Sequence, residues 1–224
     1  MSRVVALTVL FSVLCSTIYA QFGITTRYVA NSYDTYGEVA DWFDSNIEIG
    51  ANYWFRLKNR RIEFLPEVYY GLSDNASLLW PSGMETITKT YAGAEFNTQI
   101  YIFDLANNCD CPTFSKQGPE LQKSLYISIA PGVQLKSTEA VSALSTSPVT
   151  NFQASPYVGV GLGFDVGINN LLTISPYGSY RFHLQEEEIV SALDGTVFTD
   201  SMSSLQFGLR LIFRPDYVKQ YGRR

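Results

Sequence analysis

The chain has little of what catalytic and metal sites usually require, with only three cysteines and one histidine among 224 residues. Cys15 falls in a segment that we expect to be removed, which leaves Cys109 and Cys111. Two thiols are too few for a closed zinc site, which takes four ligands. Beyond residue 20, no stretch approaches the roughly 18 apolar residues that a spanning helix needs. Acidic residues outnumber basic ones by 21 to 16, and this balance argues against nucleic acid as a partner.

The first 20 residues have the features of a secretory signal peptide. Arg3 supplies the charged start, residues 4–14 form an apolar core, and Ala20 is the small residue at the exit. The segment is too short and wrongly flanked to be a membrane span. We therefore predict an exported chain whose mature part begins at Gln21.

The last regular stretch of the chain, 205–213, alternates strictly between two kinds of residue. Every odd position from Leu205 to Phe213 is Leu or Phe, whereas the even positions include Gln206 and Arg210. A period of two indicates a strand with one apolar and one polar face. In water the apolar face would have to pack against a second sheet. In an outer membrane it would face lipid, and the polar face would line a lumen.

Seven earlier segments repeat this alternation, at about the length that crosses a bilayer at a tilt. The eight predicted strands are 22–32, 47–57, 61–72, 91–103, 125–136, 157–166, 172–183 and 205–213. Long polar loops follow the odd-numbered strands, at 33–45, 73–90, 137–156 and 184–204. Short turns follow strands two and six, at 58–60 and 167–170, whereas the connection 104–124 is long.

Loops sorted in this way indicate an all-β fold, an eight-stranded antiparallel up-and-down transmembrane β-barrel with both termini in the periplasm. The predicted domains are a signal peptide at 1–20, the barrel at 21–213 and a basic periplasmic tail at 214–224. Pro66, Pro131 and Pro176 fall inside strands and remove ladder donors, so we predict bulges there. The competing fold is a soluble exported β-sandwich or lipocalin-like barrel with the apolar parity turned inward.

The polar parity carries charges of both signs in nearly equal number. Eight strands leave an interior that side chains fill, and buried charges persist only when they are paired. We therefore predict an ion-pair network that plugs the lumen, with a proton relay or narrow pore as the alternative. Its members are Arg27, Glu48, Arg56, Glu63, Glu67, Glu95, Asp165, Arg181 and Arg210.

Two other groups of residues are candidate sites. In an oxidising compartment Cys109 and Cys111 favour a disulfide, either with each other or between molecules. The first and fourth outer loops are acidic. The charges of their acidic residues are either simply solvated or form a site for divalent cations among lipopolysaccharide head groups. These residues are Asp34, Glu38, Asp41, Asp44, Glu186, Glu187, Glu188, Asp194 and Asp200.

The chain resembles the small outer-membrane β-barrel proteins typified by the transmembrane domain of OmpA and by OmpX, with relatives in Bacteroidota. The resemblance rests on the signal peptide ending at Ala20, on Gln21 and Phe22 opening the first strand, and on the segments 155–161, 174–178 and 207–213. It implies residence in the outer membrane of a Gram-negative bacterium, with lipid and lipopolysaccharide around the barrel. It also implies insertion by the barrel-assembly machinery. Many such proteins end on the aromatic residue of the last strand, whereas here residues 214–224 follow Phe213.

Catalysis would have to involve His183, the only histidine. Outer-membrane lipid A deacylases carry a His-x-Ser pair, but the residue two places after His183 is Gln185. We therefore predict no enzyme activity, no catalytic residue, no metal and no cofactor. The leading hypothesis is a non-enzymatic barrel that serves envelope integrity or surface interaction through its acidic outer loops. The alternatives are an accessory subunit of a transport or secretion assembly, docked on a periplasmic protein partner through 104–124, and a lipid-modifying barrel enzyme.

Overall fold

The computed structural model describes residues 21–33, 44–57, 62–73, 76–80, 83–103, 124–142, 148–168, 171–190 and 197–213. The predicted signal peptide, the basic tail, Cys109 and Cys111 lie outside these ranges. Within the described part of the chain, no helix has the length and hydropathy needed to cross a membrane.

Most of the described residues form strands, because alternating sequences rich in β-branched and aromatic residues pair their backbone groups with neighbouring strands. The strands are β1 Phe22–Tyr33, β2 Asp44–Tyr53, β3 Phe55–Arg56, β4 Ile62–Ser73, β5 Ala76–Trp80, β6 Gly83–Ile100, β7 Leu125–Ser142, β8 Val149–Phe164, β9 Val166–Gly167, β10 Leu172–His183, β11 Glu187–Val190, β12 Val197–Asp200 and β13 Met202–Phe213.

Eight long strands close into the barrel when β3 is counted as the continuation of β2 and β9 as the continuation of β8, since each continuation pairs with the same neighbouring strand. Each of these eight wall-forming strands is called a stave below. Each stave pairs antiparallel with the next, and β1 pairs with β13 from Phe22↔Phe213 to Tyr33↔Met202. This last pairing removes the free edges that an open sheet would leave. The predicted eight-stranded antiparallel up-and-down barrel is confirmed.

The apolar parity faces outward. Ile47, Ile49 and Val68 are 61–63% exposed, whereas Arg27 and Arg210 on the other parity are at most 2% exposed. A soluble protein does not leave a continuous apolar belt in water. The competing soluble fold, with the apolar parity turned inward, is therefore excluded by the direction of the side chains.

Three strands extend farther from the belt than the alternation predicted. β6 begins at Gly83 rather than residue 91, β7 continues to Ser142, and β8 begins at Val149. Much of the predicted loops 73–90 and 137–156 is therefore paired strand. Backbone hydrogen bonds continue this ladder above the belt, where no lipid imposes an apolar outward face.

Each of the three prolines coincides with a gap in pairing rather than a bulge. Near Pro131 the register of β6 with β7 passes from Glu95↔Gly132 to Thr98↔Ile129. Two residues are skipped on each strand, whereas a bulge adds a residue to only one. Similar two-residue gaps beside Pro66 and Pro176 separate β2 from β3 and β8 from β9. The predicted bulges were wrong, although the missing ladder donor was located correctly.

Candidate functional site: the lumen and its outer mouth

Arg27 lies at the centre of the lumen. Its Nε atom is 2.6 Å from Glu48 Oε2, and Nη1 is 3.1 Å from both Glu67 Oε1 and Glu95 Oε1. The register explains the meeting, because Arg27 lies opposite Glu48 on β2, and Glu67 on β4 lies opposite Glu95 on β6. One guanidinium thereby joins carboxylates from three strands.

Two further arginines complete this central cluster. Arg181 Nη1 is 3.5 Å from Glu48 Oε1, and its Nη2 is 3.4 Å from Glu95 Oε2. Arg210 Nη2 is 3.6 Å from Glu67 Oε2, from the opposite wall of the barrel. The cluster thus balances three buried arginines with three buried carboxylates. Pairing of this kind is what allows charge to remain in a dry interior.

Tyrosine rings cover the guanidinium groups. The Arg27 Cζ atom is 4.4 Å from the centre of the Tyr69 ring, and Arg181 Cζ is 4.2 Å from that of Tyr157. Such stacking adds a cation–π attraction to the ion pairs. Tyr157 lies opposite Gly132, where an added Cβ would be 2.5 Å from the ring carbon Cζ. The glycine is therefore required by close approach of the ring.

The structure places two predicted members of the network elsewhere. Glu63 and Asp165 lie toward the end that carries the termini, where the Tyr101 hydroxyl oxygen is 3.1 Å from a Glu63 carboxylate oxygen and 2.6 Å from an Asp165 carboxylate oxygen, and its single proton is donated to one of the two. Trp54 Nε1 also donates to Glu63. Arg56 pairs with Glu63 through the backbone register, and its side chain lies outside the described residues. Six of the nine predicted residues therefore form the central cluster, and Glu63 and Asp165 form a separate group near the termini.

A second ion-pair cluster closes the outer mouth, at the end with the long connections. Glu187 on β11 is only 3% exposed, and its Oε1 atom is 3.0 Å from Lys89 Nζ and 2.6 Å from Lys136 Nζ. Tyr33 donates to the other carboxylate oxygen at 3.1 Å. Burial alone would raise the pKa of Glu187, but the two lysines lower that pKa to about 2. Asp200, also buried, lies opposite Glu187 in the β11–β12 hairpin.

This mouth cluster differs from the expectation that the acidic loop residues are solvated. Glu186 and Glu188 are exposed, whereas Glu187 and Asp200 are buried. One signal in the sequence could have located Lys89, because it shares the inward parity of the fourth predicted strand two residues before that strand was expected to begin. The partner carboxylate, Glu187, had no such signal, since the sequence predicts a loop over 184–204, where the structure has β11.

His183 has one neighbour that matters for catalysis. Its Nδ1 atom is 3.1 Å from the Ser155 hydroxyl, and among the described residues its Nε2 atom has no hydrogen-bond partner. A nucleophilic serine needs a base that a third group orients. The pair lacks that third group within the described ranges. In the same part of the chain, no group of three or more His, Cys, Asp or Glu side chains is arranged to hold a metal ion.

The apolar exterior, the closed ladder and the ion-paired interior define the class of protein, an eight-stranded transmembrane β-barrel. No family model and no curated protein sequence matches the chain. Among solved structures, it is similar to Neisserial surface protein A at 12% identity and a TM-score of 0.47, over 87% of this chain and 96% of that chain.

Two other solved structures show a comparable level of similarity. The attachment invasion locus protein Ail of Yersinia pestis has 12% identity and a TM-score of 0.46, over 87% of this chain and 96% of that chain. A major outer membrane protein of Thermus thermophilus has 9% identity and a TM-score of 0.44, over 86% of this chain and 99% of that chain. Likeness at this level says nothing about function.

Proposed function

We propose that this chain is a non-enzymatic outer-membrane barrel with a plugged lumen, which serves envelope integrity or surface interaction through its outer end. The observation that carries the proposal is the combination of an apolar exterior with an ion-paired interior that is filled by side chains. A closed barrel pairs each strand on both sides and leaves no free sheet edge in the membrane. The predicted export signal adds the outer membrane of a Gram-negative bacterium as its destination.

Because the interior is plugged, we propose that interactions take place on the outer surface of the protein. Arg27, Arg181 and Arg210 pair with carboxylates across the centre, and eight staves leave no room for a wide aqueous path beside them. At the outer end, β6 to β8 project beyond the belt, and the hairpin β11–β12 crosses the mouth with Glu186 and Glu188 exposed. Contact with lipopolysaccharide or an external partner would take place on this surface.

The proposed orientation places both termini in the periplasm. The first strand begins and the last strand ends at the same end of the barrel, since Phe22 pairs with Phe213. That end also carries the short turns that the sequence predicts at 58–60 and 167–170. The docking alternative depends on the connection 104–124, of which residues 104–123 lie outside the described ranges, so it stays a prediction.

Membrane fractionation followed by gel mobility tests this proposal. We expect the expressed protein in the outer-membrane fraction, and we expect an unboiled sample to migrate differently from a boiled one because the closed barrel resists detergent. Boiled protein serves as the unfolded reference. Recovery in the soluble periplasmic fraction, without a heat-dependent shift, would contradict the proposal.

A further inference from the structure

Two grooves lie end to end on the lipid-facing side of β2 and β4. The outer groove has a volume of about 390 Å³ and is lined by Tyr28, Ile47, Ile49, Tyr70 and Leu72, with Ser45 and Ser73 at its outer end. The inner groove, of about 600 Å³, passes over the small side chains of Ala51 and Ala94. Both belong to the exterior of the barrel rather than to the lumen.

The register builds the outer groove from two aromatic walls and an aliphatic floor. Tyr28 on β1 lies opposite Ile47 on β2, and Tyr70 on β4 lies opposite Ile49. The two rings therefore stand on opposite sides of the isoleucines. Tyr28 and Tyr70 are 49% and 53% exposed, so both rings project from the wall of the barrel.

The outer end of this groove is polar and its remaining lining is apolar. Ser45 lies on the outward parity of β2, one step beyond Ile47, and is the polar residue that faces outward there. Ser73 lies on the inward parity of β4, opposite Asn46, and its hydroxyl accepts a hydrogen bond from the Lys89 N–H at 3.0 Å. Among the described residues that line the groove, none carries a charge, and the amide of Asn46 is turned inward and buried. A ligand for this groove must therefore be an apolar chain with a polar group at one end, as a membrane lipid is.

We infer that the outer groove binds one acyl chain of an outer-leaflet lipid, held between Tyr28 and Tyr70. This inference rests on the proposed function, because it needs the barrel in a membrane with its long-loop end outward. Amphipathic tyrosines suit the site, since their rings contact the chain while their hydroxyls reach the head-group level. Each residue of the groove that contacts the chain is already exposed, so no side chain has to leave the core.

A second copy of the chain is a poorer occupant of the groove. A two-fold dimer places the same patch of both subunits face to face. Groove would then meet groove, and the concave surfaces would leave a void between them. A flexible acyl chain fills such a concavity without a complementary ridge.

Native mass spectrometry of the folded full chain, released from vesicles of dimyristoyl phosphatidylethanolamine, tests the inference. We expect wild type to retain one lipid. The variant Tyr28→Ala/Tyr70→Ala should lower the lipid-bound fraction relative to free protein by more than about tenfold, because each ~1.4 kcal/mol of lost contact is a factor of ten. Ile49→Trp, which leaves both tyrosines in place and fills the floor, should have the same effect.

The matched control is Tyr180→Ala/Phe207→Ala, which removes two aromatic residues from the lipid-facing parity of β10 and β13. It should retain lipid as wild type does. Equal loss in the control, or a folded wild-type barrel without lipid, would overturn the inference while leaving the proposed function intact. A wild-type dimer that Ile49→Trp disrupts would also overturn it, in favour of a second copy. Recovery of the protein as a soluble species would instead remove the proposed function.

Discussion

Arg27 has the most connected side chain of the central cluster, with three carboxylates within 3.1 Å. The main effect of removing such a residue is that carboxylates would be left buried without a partner. The loss of each individual ion pair is the smaller effect. A carboxylate that loses its partner in a dry interior keeps the full desolvation penalty of its charge. The consequences of substitution therefore depend on which charges remain.

Replacement of Arg27 by glutamine should destabilise the folded barrel by about 3–5 kcal/mol, because Glu48, Glu67 and Glu95 would share two arginines instead of three. Urea unfolding of protein refolded into lipid vesicles measures this change. Thr26→Ala, at the neighbouring outward position, is the control and should stay within about 0.5 kcal/mol of wild type.

A second substitution separates the ion pair from general damage. In the double variant Arg27→Gln/Glu48→Gln, charge balance in the cluster returns, so part of the lost stability should be recovered. If the two substitutions were additive, or if Arg27→Gln behaved like Thr26→Ala, the central cluster would not hold the barrel together.

At the level of elements, the β11–β12 hairpin is attached to four staves of the barrel. Glu187 contacts Lys89 on β6, Lys136 on β7 and Tyr33 on β1. On β8, the Gln153 side chain donates to the Glu186 carbonyl at 2.6 Å. A short two-stranded hairpin is at best marginally stable alone, so these contacts hold it over the mouth.

Glu187→Gln should release the hairpin at neutral pH and speed proteolysis of the loop between β10 and β13. The folded-state pKa of Glu187, about 2, lies below its ordinary value of 4.5. The stabilisation is therefore complete above pH 4.5 and is lost as the pH falls toward 2. A shift of this size corresponds to roughly 3 kcal/mol.

The pH dependence of cleavage provides the check. The cleavage rates of wild type and Glu187→Gln should differ most between about pH 6 and 8, where the stabilisation by Glu187 is complete. The two rates should converge near pH 2. Glu188→Gln, at the exposed neighbour, should match wild type at every pH. A difference between wild type and Glu187→Gln that persisted in strong acid would show that the glutamate acts through something other than its charge.

At the scale of the whole molecule, ion-pair clusters lie at two heights in the lumen, and we expect that the barrel does not conduct. Wild type in a planar bilayer should give no steady ion current, because eight staves leave an interior that side chains fill. Glu187→Gln should be equally silent, since the central cluster lies below the hairpin.

The charge-balanced variant Glu48→Ala/Arg181→Ala removes two large side chains from the centre and should produce a measurable leak. Heat-dependent gel mobility of each variant verifies that the barrel has formed before currents are compared. A steady current through wild type would show that neither cluster closes the lumen. A current that begins only in Glu187→Gln would show that the centre is open and that the hairpin is the gate.

The alternation predicted that the lumen side chains share one face of their strands, because the side chains of a strand change face at each residue whatever surrounds it. The mouth cluster could not be read in the same way. Lys89 shares the inward parity of the predicted strand that follows it, but Glu187 lies in a predicted loop and meets Lys89 only because the β11–β12 hairpin folds back over the barrel. The gaps at the prolines were likewise located, but their form depends on the neighbouring strands.

The sequence by itself determined the number of staves, the two parities and the separation of polar from apolar residues, since each is a local property of a strand. Only the tertiary structure decided which parity faces outward and which charges meet. Arg181 reaches Glu48 from a strand 133 residues away along the chain, and barrel closure and the register between strands bring them together. Those depend on how all eight staves pair, which no single segment encodes.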